Sequence, residues 1–326
     1  MSKQLNVADI PDYFTKTFQS SFLLQEITRK ETKDGGRPFF SLRLQDASGS
    51  VYGTIWQENM ADYHEALSGK VVDIKSLVTK SADGHYHLVV REMKERQEFE
   101  IADYINGLTG EESSGYLNLL WKYIKSIKEA PLRELVQSIF EGIEGLEKYP
   151  ATCSGNHHFS GGFLVYTVSV VCMTKYMQYT LAMYNKTPSL SQHYNTDLLT
   201  AGALLHAIGT VRMVTPAPDV KRVPCTIPLT LHELTIQYIQ EAVGHRGTGI
   251  DENTLCLLYH VIGCVYESSA RKPVLREALI LKSAVELHDK ITLLEHFMVK
   301  NQDKTGIVFD DVLGNYIYLG SEGSDD

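Results

Sequence analysis

The chain has 326 residues, of which 43% are hydrophobic and 22% charged, with a formal net charge of -9. That length allows two domains with separate cores, and no stretch approaches the roughly 20 apolar residues of a membrane span. The polar start MSKQLNVADIPDYF lacks a signal-peptide core, and five scattered cysteines without a CxxC pair argue against a disulfide framework or a zinc knuckle.

These features predict a cytoplasmic, soluble protein without membrane association. Its cysteines are expected to be reduced and mostly buried. The acidity is uneven. Residues 1–98 carry 13 Lys and Arg against 14 Asp and Glu, whereas the remainder carries 18 against 26. A nucleic-acid binder usually presents a basic footprint. The global charge argues against one, but a local basic stripe in the N-terminal part remains open.

Residues 22–93 read as strands. FLLQEITRK, PFFSLRLQD and SVYGTIW are short, rich in β-branched and aromatic residues, and separated by turn chemistry at Asp34-Gly35-Gly36 and Ser48-Gly49. NMADYHEALSG reads as a short helix ending at a glycine. KVVDIKSLVTK and HYHLVVREM follow as strands joined by a hairpin at Asp83-Gly84. Three strands, a short helix and two strands is the order of a five-stranded OB-fold β-barrel. The predicted barrel spans 1–98, and a linker spans 99–115. From 116 to 320 the periodicity is helical, which makes the chain an α+β multidomain protein. Thr215 to Pro228 holds four prolines and is expected to loop over the helical core. The tail 321–326 is expected to be disordered.

Strand alternation separates inward from outward side chains. It places Phe39, Arg43, Tyr52 and Trp56 together on the outer face of the second and third strands. Single-stranded bases stack on such a platform, and Arg adds cation–π and phosphate contacts. Lys33, Arg37 and Lys75 are nearby cations. The alternative fate of the stripe is docking against the helical region. That region carries the histidines His157, His158, His206, His232, His260 and His288.

The sequence resembles the YhaM family of bacterial 3′–5′ exoribonucleases, which join an OB domain to an HD domain. RPFFSLRLQDASGSVYGTIW is similar to the family's second and third strands. YPATCSGNHHFSGGFLVYT, DLLTAGALLHAIGTV, PVLREALILKSAVELHDKI and GNYIYLG resemble its helical-domain motifs. One reading is a non-catalytic relative that takes single-stranded RNA or DNA as partner on its OB face and uses the helical domain as scaffold or homo-oligomer interface. An active member would hold a divalent metal such as Mn or Mg.

This chain departs from the motif where the metal would bind. Against the family pattern, the first His reads Tyr166, the His-Asp pair reads His206-Ala207, and the following Lys reads Thr210. A late His pair reads Val265-Tyr266, and an ungapped match puts Val285 at the final Asp. The early His pair falls on Asn156-His157, or on His157-His158 after a one-residue shift. Loss of both acids removes the charge that offsets a divalent cation. No catalytic residue or cofactor is therefore expected, with His157, His206, His232 and His260 as a residual metal set. A rebuilt site would draw on Glu233, Glu267, Glu286, His288 and Asp289. A third reading is an interaction protein that binds no nucleic acid.

Overall fold

The computed structural model describes residues 5–32, 36–59, 67–81, 84–100, 103–152, 157–184, 194–218, 220–246, 249–266, 272–302 and 304–320. The expected helix over NMADYHEALSG, the tips of two barrel turns and the acidic tail lie wholly or largely outside these residues.

Five strands close a barrel in the order β1-β2-β3-β5-β4: β1 (Thr17–Glu31), β2 (Pro38–Asp46), β3 (Gly49–Trp56), β4 (Val71–Lys80) and β5 (Tyr86–Glu95). This is the strand order of an OB-fold. β1 is long enough to pair twice. Thr17–Leu23 pairs with β4 and Leu23–Glu31 with β2, across a bulge between Leu24 and Glu26 that bends the strand from one neighbour to the next. Alternation then points Phe18, Phe22, Leu42, Leu44, Ile55 and Leu88 inward, each at most 1% exposed. Burying each stabilises the barrel by about 1.5–3 kcal/mol. Gly53 lies where β3 meets β5 in parallel pairing, and a Cβ there would stand 3.1 Å from the Leu88 carbonyl oxygen.

The segment after the barrel is anchored to it. Tyr104 is fully buried, its hydroxyl 2.6 Å from Ser21 Oγ. It clusters with Leu23, Val71, Ile105 and Ala217. The prolines of 215–228 do prevent regular helix, but Ala217 reaches this barrel seam instead of lying only over the helical core. Helix α1 (Gly110–Lys125) begins six residues before the expected position 116. The expected linker 99–115 thus ends in helix. The reason is a capping box: Thr109 Oγ1 accepts from Glu112 N, and Glu112 Oε2 accepts from Thr109 N.

The other helices are α2 (Ala130–Glu141), α3 (Gly162–Tyr184), α4 (Thr196–Leu205), α5 (Thr210–Met213), α6 (Leu231–Arg246), α7 (Glu252–Gly263) and α8 (Arg276–Lys300). α4 is central, with every residue from Leu198 to Leu205 buried. Its Gly202 permits close approach to α7, since a Cβ there would meet Val261 at 2.7 Å. The region expected to be all-helical ends instead in a two-stranded ribbon, β6 (Ile307–Asp310) and β7 (Asn315–Tyr318). Alternating β-branched and aromatic residues around Gly314 (φ 61°) favour a hairpin there.

Among the described residues, no helix is long and apolar enough to cross a membrane. Three of the four described cysteines, Cys172, Cys225 and Cys256, are exposed; only Cys264 is buried. The expectation of mostly buried cysteines fails because Cys172 and Cys256 fall on outward helix faces and Cys225 on the proline-rich loop.

Candidate nucleic-acid face and helical-site remnant

Cross-strand register assembles the aromatic stripe. Phe39 pairs with Trp56 and Arg43 with Tyr52 across β2 and β3. The Phe39 and Trp56 rings meet edge to face, centroids 5.8 Å apart. Arg43 and Tyr52 are exposed, Phe39 and Trp56 half-buried. None of the four joins a hydrophobic core cluster of the described residues. Among the described residues, the stripe therefore stays outside the cores, with Arg43 and Tyr52 open to solvent.

Two cations expected nearby are already engaged. The Arg37 guanidinium lies 4.5 Å over the Trp56 ring and pairs with Glu58 at 2.6 Å. Lys75, on β4, pairs with Glu92 at 3.3 Å. Lys33 lies outside the described residues.

One contributor was not legible in the sequence. Barrel closure brings His87 of β5 beside Tyr52, with its Nε2 2.8 Å from Thr54 Oγ1. Burial lowers its pKa, so His87 is a neutral hydrogen-bonding group at neutral pH. Beyond it opens a groove of about 660 Å³ lined by Tyr52, His85, Tyr86, His87 and residues of the N-terminal 3-10 turn. Lys80 Nζ sits 4.8 Å over the Tyr86 ring.

In the helical region, Tyr166 is the hub of a ring cluster. Its centroid lies 5.6 Å from that of His157, 5.2 Å from His206 and 5.2 Å from His288. Each ring is placed for a local reason. His157 (φ 53°) closes the loop before α3, where a side chain at Gly162 would collide with the His157 carbonyl. His206 is the C-cap residue of α4, and its Nδ1 lies 2.8 Å from Ala203 O. A carbonyl requires a donor, so Nδ1 carries the proton and Nε2 is a bare lone pair, buried and without a hydrogen-bond partner. The Tyr266 hydroxyl donates to the His206 carbonyl, and the Tyr266 ring contacts His232 at 5.1 Å. His260 stands apart. Its Nε2 accepts from Val274 N at 3.1 Å, so it pins a loop.

Two of the four acids proposed for a rebuilt site have structural duties. Glu233 forms a capping box with Thr230, and Glu286 faces Lys282 across one turn of α8 at 3.7 Å. Glu267 lies outside the described residues. Asp289 alone joins the cluster, 3.7 Å from His288 Nδ1. Burial, and then the Asp289 carboxylate, raise the Tyr166 pKa well above the ordinary phenol value.

The residues present do not fit a divalent metal of the expected kind. Ala207 and Val285, the positions that the motif match expects to be acids, are buried apolar residues, 3% and 5% exposed, and the Tyr166 phenol ring lies between the imidazoles. Among the described residues no three His, Cys, Asp or Glu side chains are arranged to hold an ion. Thr210, in place of the motif's Lys, is buried at the start of α5. Other motif acids that persist are structural. Asp197 accepts from Lys128 N and Glu129 N at the start of α2, and Glu277 accepts from Asn195 N at the start of α4.

The cluster has a pH signature. Burial lowers the His206 pKa to about 4. Its neutral form thus favours the fold above the ordinary imidazole value near 6.5, and that contribution is lost as pH falls from there toward 4. The expected loss at pH 4 is about 3 kcal/mol relative to pH 7. Urea unfolding at both pH values should show this loss, and it should shrink by a similar amount in His206→Leu.

No protein-family model matches the chain. It is 23% identical over 300 residues to a 3′-5′ exoribonuclease YhaM from Halalkalibacterium halodurans, covering 88% of each chain. It is also 23% identical over 297 residues to the YhaM of Oceanobacillus iheyensis, covering 87% of this chain and 88% of that protein. Two solved structures overlap it in part. One is the second OB-fold domain of replication protein A from Methanococcus maripaludis (21% identity, 27% of this chain, 90% of that chain, TM-score 0.20). The other is asparaginyl-tRNA synthetase from Pyrococcus horikoshii (15% identity, 43% of this chain, 33% of that chain, TM-score 0.24). The fold assignment rests on strand order and not on these overlaps.

Proposed function

We propose that this chain is a divergent member of the YhaM family and that it binds single-stranded nucleic acid on the outer face of its barrel without hydrolysing it. The observation that carries the binding half is the solvent-facing register of Phe39, Trp56, Arg43 and Tyr52. Bases stack on the two half-buried rings and on Tyr52, while Arg43 meets phosphate. Stacking tolerates any base, so sequence preference is modest. The near-neutral charge of residues 1–98, beside a C-terminal remainder of net -8, leaves this face open to a polyanion.

Loss of hydrolysis is supported by the donor set of the HD-type site. A phosphodiesterase of that kind needs carboxylates to neutralise its metal and open positions for phosphate oxygen and water. Ala207 and Val285 supply neither, and Tyr166 closes the space between the histidines. In the same proposal, residues 1–98 form the binding module, the helical domain is its scaffold, and the protein acts in the cytoplasm.

Fluorescence anisotropy with labelled single-stranded RNA and DNA tests the first half. Binding is expected at low salt, weakening as salt rises because phosphate contacts release counterions. Absence of binding at low salt to both would overturn it. A 3′-labelled RNA should stay intact with added Mn²⁺ or Mg²⁺; stepwise shortening from the 3′ end would overturn the second half.

A further inference from the structure

α8 changes character at its midpoint. Its first half is a core helix, with Glu277, Ala278, Ile280, Leu281, Ala284 and Val285 all buried. From Glu286 to Val299 no residue is buried, although Leu287, Ile291, Phe297, Met298 and Val299 are apolar. A helix that supplies apolar side chains at this density normally packs them.

The chain then folds back as the β6–β7 ribbon, which is apolar on both faces. Val308 and Ile317, paired across the strands and half-buried, share one face. Ile307, Phe309, Tyr316 and Tyr318 share the other, at 69%, 48%, 69% and 64% exposed. The Phe309 and Tyr316 rings contact each other at 5.0 Å, so this face is continuous. A groove of about 520 Å³ separates the ribbon from α8, lined by Leu293, Phe297 and Leu313 among others. An isolated two-stranded ribbon is marginal in water and leaves both edges unpaired.

We propose that this ribbon face and the second half of α8 form the interface with a second copy of this chain. Area is the first argument. From their exposures, Ile307, Phe309, Tyr316 and Tyr318 alone present roughly 600 Å², the upper end of the 300–600 Å² of a typical monomer's largest patch and most of the roughly 800 Å² each partner contributes to a stable interface. Charge is the second. The four outward ribbon residues are uncharged, so two chains of net charge -9 meet there without opposing like charges. None of the four offers a cation to the phosphates of a nucleic acid. A two-fold axis satisfies the patch with itself, because an isologous contact uses the same surface on both copies.

Sedimentation equilibrium of the full chain over micromolar concentrations tests the proposal. The chain should be dimeric. Phe309→Asp combined with Tyr316→Asp should weaken dimerisation about 100-fold, because it sets like charges against each other across the axis. Both positions are exposed, so the circular dichroism and Tm of the monomer should be retained. If that pair fails to fold, Tyr318→Lys is the second test and should also dissociate the dimer. Tyr176→Asp with Tyr179→Asp, on the exposed end of α3, should leave the dimer intact. A monomeric parent chain would overturn the proposal. So would ribbon variants that stay dimeric, or dissociation by the α3 pair instead.

Discussion

Trp56→Ala is expected to weaken single-strand binding by about 10- to 100-fold, since each stacked base is worth about 1–3 kcal/mol. The size follows from the geometry of the face. Trp56 is held edge-on by Phe39 at 5.8 Å and covered by the Arg37 guanidinium at 4.5 Å, so its ring is oriented before any base arrives. An ordered platform loses little side-chain entropy on binding. Arg37 is also tied to Glu58 at 2.6 Å, and a base that takes the covered face of Trp56 must displace this pair. Glu58→Gln should therefore tighten binding, by releasing Arg37 to phosphate and removing a negative charge. Lys75→Ala should change little, because Lys75 of β4 is paired with Glu92 of β5 and lies outside the β2–β3 stripe. Anisotropy titrations at one fixed salt concentration compare the three variants, and Tm values confirm that each is folded. Unchanged affinity in Trp56→Ala would remove this face from the proposal.

The barrel was legible because its signals are local. Alternation in PFFSLRLQD and SVYGTIW separates Leu42, Leu44, Val51 and Ile55 from Phe39, Arg43, Tyr52 and Trp56, and the structure keeps that separation. His87 was not legible, because its place beside Tyr52 depends on parallel closure of β3 on β5, which no local pattern encodes. The helical site was half legible. Sequence reading listed His157, His206 and His232 as a residual set, and the structure brings the first two together around Tyr166 while His232 lies against Tyr266. It grouped His260 with them, but His260 is spent on Val274 N. His288 enters the cluster through its phase on α8, one turn beyond Val285. The start of α1 and the final ribbon were misread for a common reason. A capping box and a glycine turn are short signals embedded in polar or mixed sequence, and helical periodicity alone does not register them.

Ala207→Asp places an acid where the motif match expects one and separates a site without metal from a site that has only exchanged ligands. Position 207 is 3% exposed, next to Ile208 at 0%, and packs within the main core of the helical region. An unpaired carboxylate there is expected to cost about 3–5 kcal/mol, lowering Tm by about 10 °C. Ala207→Asn, of nearly the same volume but uncharged, should cost distinctly less, and the difference between the two variants isolates charge from packing. Nearby imidazoles do not relieve the aspartate at neutral pH. His206 is held neutral by burial, with a pKa of about 4, and His157 likewise. Added Mn²⁺ should leave the Tm of Ala207→Asp where it was, because Tyr166 occupies the hub between the rings and Val285 offers no second carboxylate. A rise in Tm with Mn²⁺ that is specific to this variant would show that His157, His206 and His288 still form a metal-ready set lacking only its charge. That result would return hydrolysis to consideration for the helical domain.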